Sequence, residues 1–100
     1  MTLEYVQTWM VREGHEAEHD RLFREWVLRL ARNPEILDIR FPRLNEVDSR
    51  KRVVVYVFKD APAWARFHSG LGEEFVRFFE EWSVLIDINS FRIFFNRYEE

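Results

Sequence analysis

One hundred residues, 47% hydrophobic and 17% aromatic, make a single domain over 1–100 with a well-filled interior, which excludes intrinsic disorder and a second domain. A formal charge of −3 excludes the concentrated basic surface that nucleic acid requires, and the thirteen arginines against two lysines do not alter this because acidic residues interleave with them. Without cysteine there is no disulfide, thiolate nucleophile or thiolate metal site, and without a basic-then-apolar leader or a membrane-length apolar stretch a cytoplasmic chain with no membrane contact is expected.

Leu3 to Arg12 is rich in β-branched and aromatic residues and stops at Glu13-Gly14, so it reads as a strand. From His15 to Arg32 the spacing turns helical. Leu22, Phe23, Trp26, Val27, Leu30 and Ala31 form one apolar stripe, and Asp20/Arg24 and Glu25/Arg29 sit four apart as candidate ion pairs. Asn33-Pro34 ends that helix. Ile36 to Arg43 alternates Leu37, Ile39 and Phe41 against Asp38, Arg40 and Pro42, which is a one-sided strand held at a sheet edge by its proline. Arg40 and Arg43 are then solvated.

A polar turn over Asn45–Lys51 leads into Val53–Phe58, a strand with large apolar side chains on both faces. Asp60 is an N-cap, with Pro62 tolerated in the first turn. Trp64, Phe67, Leu71, Phe75, Phe78, Phe79 and Trp82 line one side of the next helical region. Gly70 and Gly72 interrupt it, so a short helix, a kink and a longer helix are expected. Ser90 to Tyr98 is the last strand, with Phe91, Ile93 and Phe95 on one face and Phe94 and Tyr98 on the other.

The order is βαββαβ, an α+β ferredoxin-like arrangement with a four-stranded antiparallel sheet and its helices on one face. The uncovered face would present Val6, Met10, Val54, Tyr56, Phe58 and Phe94, or their opposite-parity neighbours. At about 1.5–3 kcal/mol per buried large side chain, leaving six in water forfeits roughly 10 kcal/mol, against a domain stability of about 5–15 kcal/mol. A second copy is the expected cover, a homodimer formed through the sheet face.

A protomer of this length and order resembles the dimeric α/β-barrel superfamily, and within it the antibiotic-biosynthesis-monooxygenase-like family. The run from Val11 to His19 is similar to the family's strand end, Gly and acidic helix start. Pro34-Glu35-Ile36-Leu37 sits at the approach to the second strand. Val57-Phe58-Lys59-Asp60, with Ala63-Trp64 and His68 after it, is similar to the family's strand, acidic cap, Ala-Trp and nearby His. The resemblance implies a pocket between sheet and helices, and oxygenation of an aromatic or quinol substrate without a bound cofactor or metal. Haem-degrading members carry Asn, Trp and His where this chain has Gln7, Phe67 and Arg77, so haem cleavage is not implied.

Few residues here invite chemistry. His68 lies four after Trp64 on the same helical face and is the candidate base or donor, since imidazole exchanges protons near neutrality. Gln7 shares a strand face with Tyr5 and Trp9 and is the candidate orienter of a flat ligand. Trp9, Trp64 and Phe67 are candidate walls. His15-Glu16-Ala17-Glu18-His19 matches the H-E-x-x-H metal pattern, which leaves a metal-dependent hydrolase through His15 and His19 as a remote alternative. His19 also falls on the buried stripe, where packing at the helix–sheet rim is the simpler expectation. The remaining alternative is a non-catalytic dimer, ligand-binding or structural, whose own aromatics fill its core.

Overall fold

The computed structural model describes residues 2–42 and 50–98. Strand β1 (Thr2–Val11) is followed by helix α1 (Glu16–Leu30), strands β2 (Ile36–Arg40) and β3 (Lys51–Phe58), helices α2 (Ala61–Ser69) and α3 (Glu73–Ser83), and strand β4 (Ile86–Tyr98). The sheet is antiparallel in the order β2-β3-β1-β4, so the two central strands are those with the longest apolar runs. This is the expected βαββαβ arrangement, with the second helical region divided. The turn expected over Asn45–Lys51 falls largely outside the described residues, as does Arg43.

Local chemistry explains the element ends. Gly14 adopts φ +84°, the left-handed conformation that turns β1 into α1 at no cost only for glycine. Asp60 accepts the Ala63 amide at 2.9 Å and starts α2 as an N-cap. Gly70 closes α2, and α3 begins three residues later. The ion pairs on α1 differ from those expected from its spacing. Asp20 binds Arg52 of β3 and not Arg24, and Arg29 reaches Glu74 of α3 at 3.6 Å. For Asp20 a bidentate partner on another element outcompetes a neighbour on the same exposed helix face, whereas Arg29 makes only one long contact.

The edge strand is shorter than the alternation suggested and carries an irregularity. Ile36 faces Phe58 and Asp38 faces Val57, so Leu37 is the extra residue and is 59% exposed. Ile36 and Ile39 pack on the core instead of Leu37, Ile39 and Phe41 together. Strand β4 starts four residues earlier than Ser90, and a bulge interrupts it where β1 passes from Thr8 to Met10.

Cross-strand partners in an antiparallel pair share a face. Leu3, Tyr5 and Gln7 oppose Phe58, Tyr56 and Val54, and these pairs lie under the helices. Val6 opposes Val55, and Glu4 opposes Val57, on the outer face. Of the two parities left open for β3, the structure takes the second: Val54, Tyr56 and Phe58 face the helices, and their neighbours Val53, Val55 and Val57 join Val6 outside. The two aromatic residues of β3 and Val54 lie inside, and its other three valines lie outside. That outer face keeps a small buried cluster of Val6, Val55 and Val57 with Val53 against it, bordered by the Glu4–Arg40–Asp38 ion pairs and by Phe94, 47% exposed. No helix among the described residues is long and apolar enough to cross a membrane.

Candidate functional site

The space between sheet and helices is not full. A cavity of about 200 Å³ opens there, floored by Tyr5, Gln7 and Tyr56 and roofed by Phe67, His68 and residues of α1 and α3. Its floor follows from strand parity: Tyr5 and Gln7 alternate onto the helix side of β1, and Tyr56 is the direct cross-strand partner of Tyr5. Its roof follows from the Asp60 cap, which sets the phase of α2 so that Phe67 is buried against Phe58 and Tyr56 at ring separations of 5.3 and 6.4 Å. His68, one residue on, is exposed on its outer side and stacks on Trp64 at 5.0 Å.

The sequence-predicted residues separate here. Gln7, His68 and Phe67 converge on the cavity. Trp64 flanks them, set edge-on to Tyr5 at 5.7 Å and to Phe95 at 5.1 Å. Trp9 stands apart: it is 1% exposed, does not line this cavity, and spends its indole N–H on His19 at 2.9 Å. Two polar residues that the sequence reading did not single out, Tyr5 and Tyr56, belong to the floor. Tyr5 shared a strand face with Gln7 and was within reach of pattern reasoning; Tyr56 needed the register.

The polar chemistry of the floor is one-sided. Gln7 Nε2 donates to the Tyr5 hydroxyl oxygen at 3.0 Å. Burial pushes the Tyr5 phenol above its ordinary pKa, with the Gln7 hydrogen bond pulling the other way. Burial, then the neighbouring Tyr5, push Tyr56 well above its own. Both are neutral phenols across the physiological range, and so are hydrogen-bond donors. A flat aromatic guest would meet ring faces on most sides and hydroxyl, amide and imidazole groups at a few points. That distribution is typical of small-molecule pockets.

His19 is the centre of a second constellation. It is 1% exposed, packed between α1 and the sheet with the half-exposed Asp20 on its outer side, as expected of a buried residue at the helix–sheet rim. Nε2 accepts indole N–H groups from both Trp9 (2.9 Å) and Trp82 (3.0 Å), and Nδ1 lies 3.0 Å from Asp20 Oδ1. Arg52 grips Asp20 through Nε and Nη2 at 2.9 and 3.0 Å. Two donors on Nε2 require a neutral ring protonated on Nδ1. Burial accordingly lowers the His19 pKa, against the opposing pull of Asp20. For Asp20 burial acts upward, but the hydrogen bonds from Arg52 and His19 and their charges hold the carboxyl below its usual value.

That arrangement bears on the metal pattern. Both ring nitrogens of His19 are engaged, His15 sits outside beside Glu18 at 3.6 Å, and no group of three or more metal-ligating side chains occurs among the described residues. The three positions compared with haem degraders do not fit haem either. Gln7 is tied to Tyr5, Phe67 is in the core, and Arg77 is an exposed partner of Glu73, so none presents an iron ligand.

The chain matches no model of a known protein family, and no curated protein matches it. Solved structures do. SnoaB, a cofactor-independent oxygenase from Streptomyces nogalater, superposes with a TM-score of 0.78 at 17% identity, over 99% of this chain and 94% of that one. A candidate antibiotic biosynthesis monooxygenase from Caulobacter crescentus CB15 gives 0.82 at 16% identity, over 99% and 91%. A conserved protein from Methanosarcina mazei Go1 gives 0.81 at 14% identity, over 99% and 94%. The fold over the full chain is thus that of the antibiotic biosynthesis monooxygenase and dimeric α/β-barrel structures.

Proposed function

We propose that this protein, built on the fold shared with SnoaB and the antibiotic biosynthesis monooxygenase structures, is a homodimer that oxygenates a small electron-rich aromatic or quinol-type substrate without a bound cofactor. The observation that carries the reading is the convergence of Gln7 and His68 on one aromatic cavity between sheet and helices. A substrate carbon that becomes electron-rich on deprotonation supplies the electrons itself. A ring CH2 and one dioxygen give a ring carbonyl and one water, with no outside reductant. The protein then needs only to hold the ring, accept the proton and stabilise the developing oxyanion.

His68 is the proposed base or donor, Gln7 the orienter, and Phe67 and Trp64 the walls. Trp9, at the sheet end of the His19 network, holds the first strand in place beside them. The outer sheet face, with its valine cluster and Phe94, is the proposed dimer contact. Oxygen uptake on a panel of hydroquinones of one or two fused rings, repeated with His68→Ala, tests the activity. Turnover that falls at least tenfold in the variant supports the reading, and unchanged turnover removes His68 from it.

The size of the cavity favours a second reading, a non-catalytic binder of small aromatics. About 200 Å³ lies below the roughly 300–1,000 Å³ of common ligand pockets. Binding of aromatics without oxygen uptake across the panel would select it.

A further inference from the structure

Two tyrosine hydroxyls on the cavity floor have a hydrogen to donate and no acceptor bonded to it among the described residues. Tyr56 is 2% exposed and lines the cavity, and among the described residues its hydroxyl has no hydrogen-bond partner. Tyr5 is 7% exposed, and its oxygen already accepts the Gln7 amide, so its own O–H must be directed elsewhere; no described residue receives it. A third donor in the same aromatic cluster, the buried indole N–H of Trp64, is also without a partner. Of the three, only the Trp64 N–H is fully buried without a partner, where an unmade bond costs about 1–3 kcal/mol; the Tyr5 oxygen is already bonded and the Tyr56 hydroxyl opens onto the cavity. All three groups sit around one residue, Tyr5.

The geometry makes the two hydroxyls a pair. Tyr5 and Tyr56 are direct cross-strand partners with ring centroids 6.1 Å apart and planes tilted by 31°, so they leave the sheet on the same side and toward the same space. The amide of Gln7 donating into Tyr5 polarises that phenol and makes its O–H a better donor. What both lack is an acceptor, and the cavity is where one fits.

We infer that the cavity takes a flat ligand of one or two fused aromatic rings bearing a phenolic or carbonyl oxygen, and that this oxygen accepts hydrogen bonds from the hydroxyls of Tyr5 and Tyr56. The size follows from the volume, about 200 Å³ here against the about 150 Å³ that suffices for benzene. The oxygen follows from the unpartnered donors. A larger polycyclic ring system would have to displace Phe67 or Phe78, both buried in the core. This inference rests on the reading of the cavity as a ligand site. It adds which atom of the ligand is recognised and by what: the tyrosines hold the oxygen at the sheet, while His68 faces the ring from α2. Donors placed where negative charge gathers would also stabilise an enolate or phenolate once it forms.

Titration calorimetry with 2-naphthol and with naphthalene, on the full-length protein and its Tyr5→Phe and Tyr56→Phe variants, tests this. The expected result is that 2-naphthol binds at least tenfold tighter than naphthalene. Each variant should weaken 2-naphthol by about three- to tenfold and leave naphthalene within about twofold. Equal affinity of the native protein for the two compounds overturns the inference and leaves an aromatic pocket standing. Binding of neither overturns the inference together with the ligand-site reading. A preference for 2-naphthol that persists undiminished in both variants also overturns it. A preference lost in the variants, in a protein that consumes no oxygen, upholds the tyrosine assignment while the oxygenase reading falls.

Discussion

Trp82 donates its indole N–H to Nε2 of His19 at 3.0 Å, a bond that spans 63 residues of chain and fastens the end of α3 to α1. Trp9 donates to the same nitrogen from β1, so one imidazole joins three elements, and the Asp20–Arg52 pair fixes its orientation from outside. The ring carries no exposed surface through which to act on a ligand. Its role is to satisfy two buried indoles that would otherwise be orphaned.

Replacing His19 by Ala removes that acceptor and opens a void. Two unsatisfied indole N–H groups at about 1–3 kcal/mol each predict a loss of about 3–5 kcal/mol in unfolding free energy. His19→Gln, whose amide oxygen reaches part of the same position, should recover about half. Urea unfolding followed by tryptophan fluorescence measures both, and an Ala variant within 1 kcal/mol of the native protein would contradict the account.

The same ring predicts a pH dependence. Its folded-state pKa is lowered, by burial first, from an ordinary 6.5, so the unfolded chain binds the proton more readily. The stability from neutral His19 is fully present above pH 6.5 and is lost progressively as the pH falls from there toward the folded value. Asp20, also lowered, from 3.8, adds a second loss in a separate, more acid window. The urea midpoint should therefore drop between pH 7 and 5 in the native protein and drop less in His19→Gln. Parallel curves for the two proteins would exclude His19 as the source.

Asp60→Ala deletes the cap that sets the phase of α2, the helix that carries Trp64, Phe67 and His68. The expected cost is about 0.5–2 kcal/mol, with Asp60→Ser losing only a small part of it. Thermal unfolding by circular dichroism resolves a difference of this size.

Phe94 is 47% exposed on the outer sheet face, opposite Val6. If that face joins two copies, Phe94→Asp places two carboxylates in one symmetric contact, because each protomer contributes the same patch. Light scattering at micromolar concentration should give twice 12.4 kDa for the native chain and 12.4 kDa for the variant. A native protein that runs as a stable monomer would remove the dimer from the proposal.

Local signals carried far in this chain. The Gly14 turn, the Asp60 cap, the Gly70 break and the alternation along β1 each depend on neighbours within a few residues, and each appears where the pattern put it. Gln7, Phe67 and His68 were legible as site candidates for the same reason. Leu37 and Phe41 misled, because an extra residue on the edge strand puts Ile36 on the core and leaves Leu37 out, while the strand ends at Arg40, before Phe41; a one-residue irregularity leaves no mark in composition.

The sequence by itself determined the order of elements, the helix faces and the presence of two apolar faces on β3. Periodicity and turn chemistry are short-range properties, and the residues that encode them are adjacent in the chain. Only the tertiary structure decided which face of β3 meets the helices, that Trp9 serves His19 and not the cavity, and that Tyr5 and Tyr56 stand side by side with hydroxyls to spare. Those outcomes depend on strand register and on contacts between residues as far apart as 19 and 82. Register is settled by the summed burial of a whole sheet face, a quantity that no window along the chain contains.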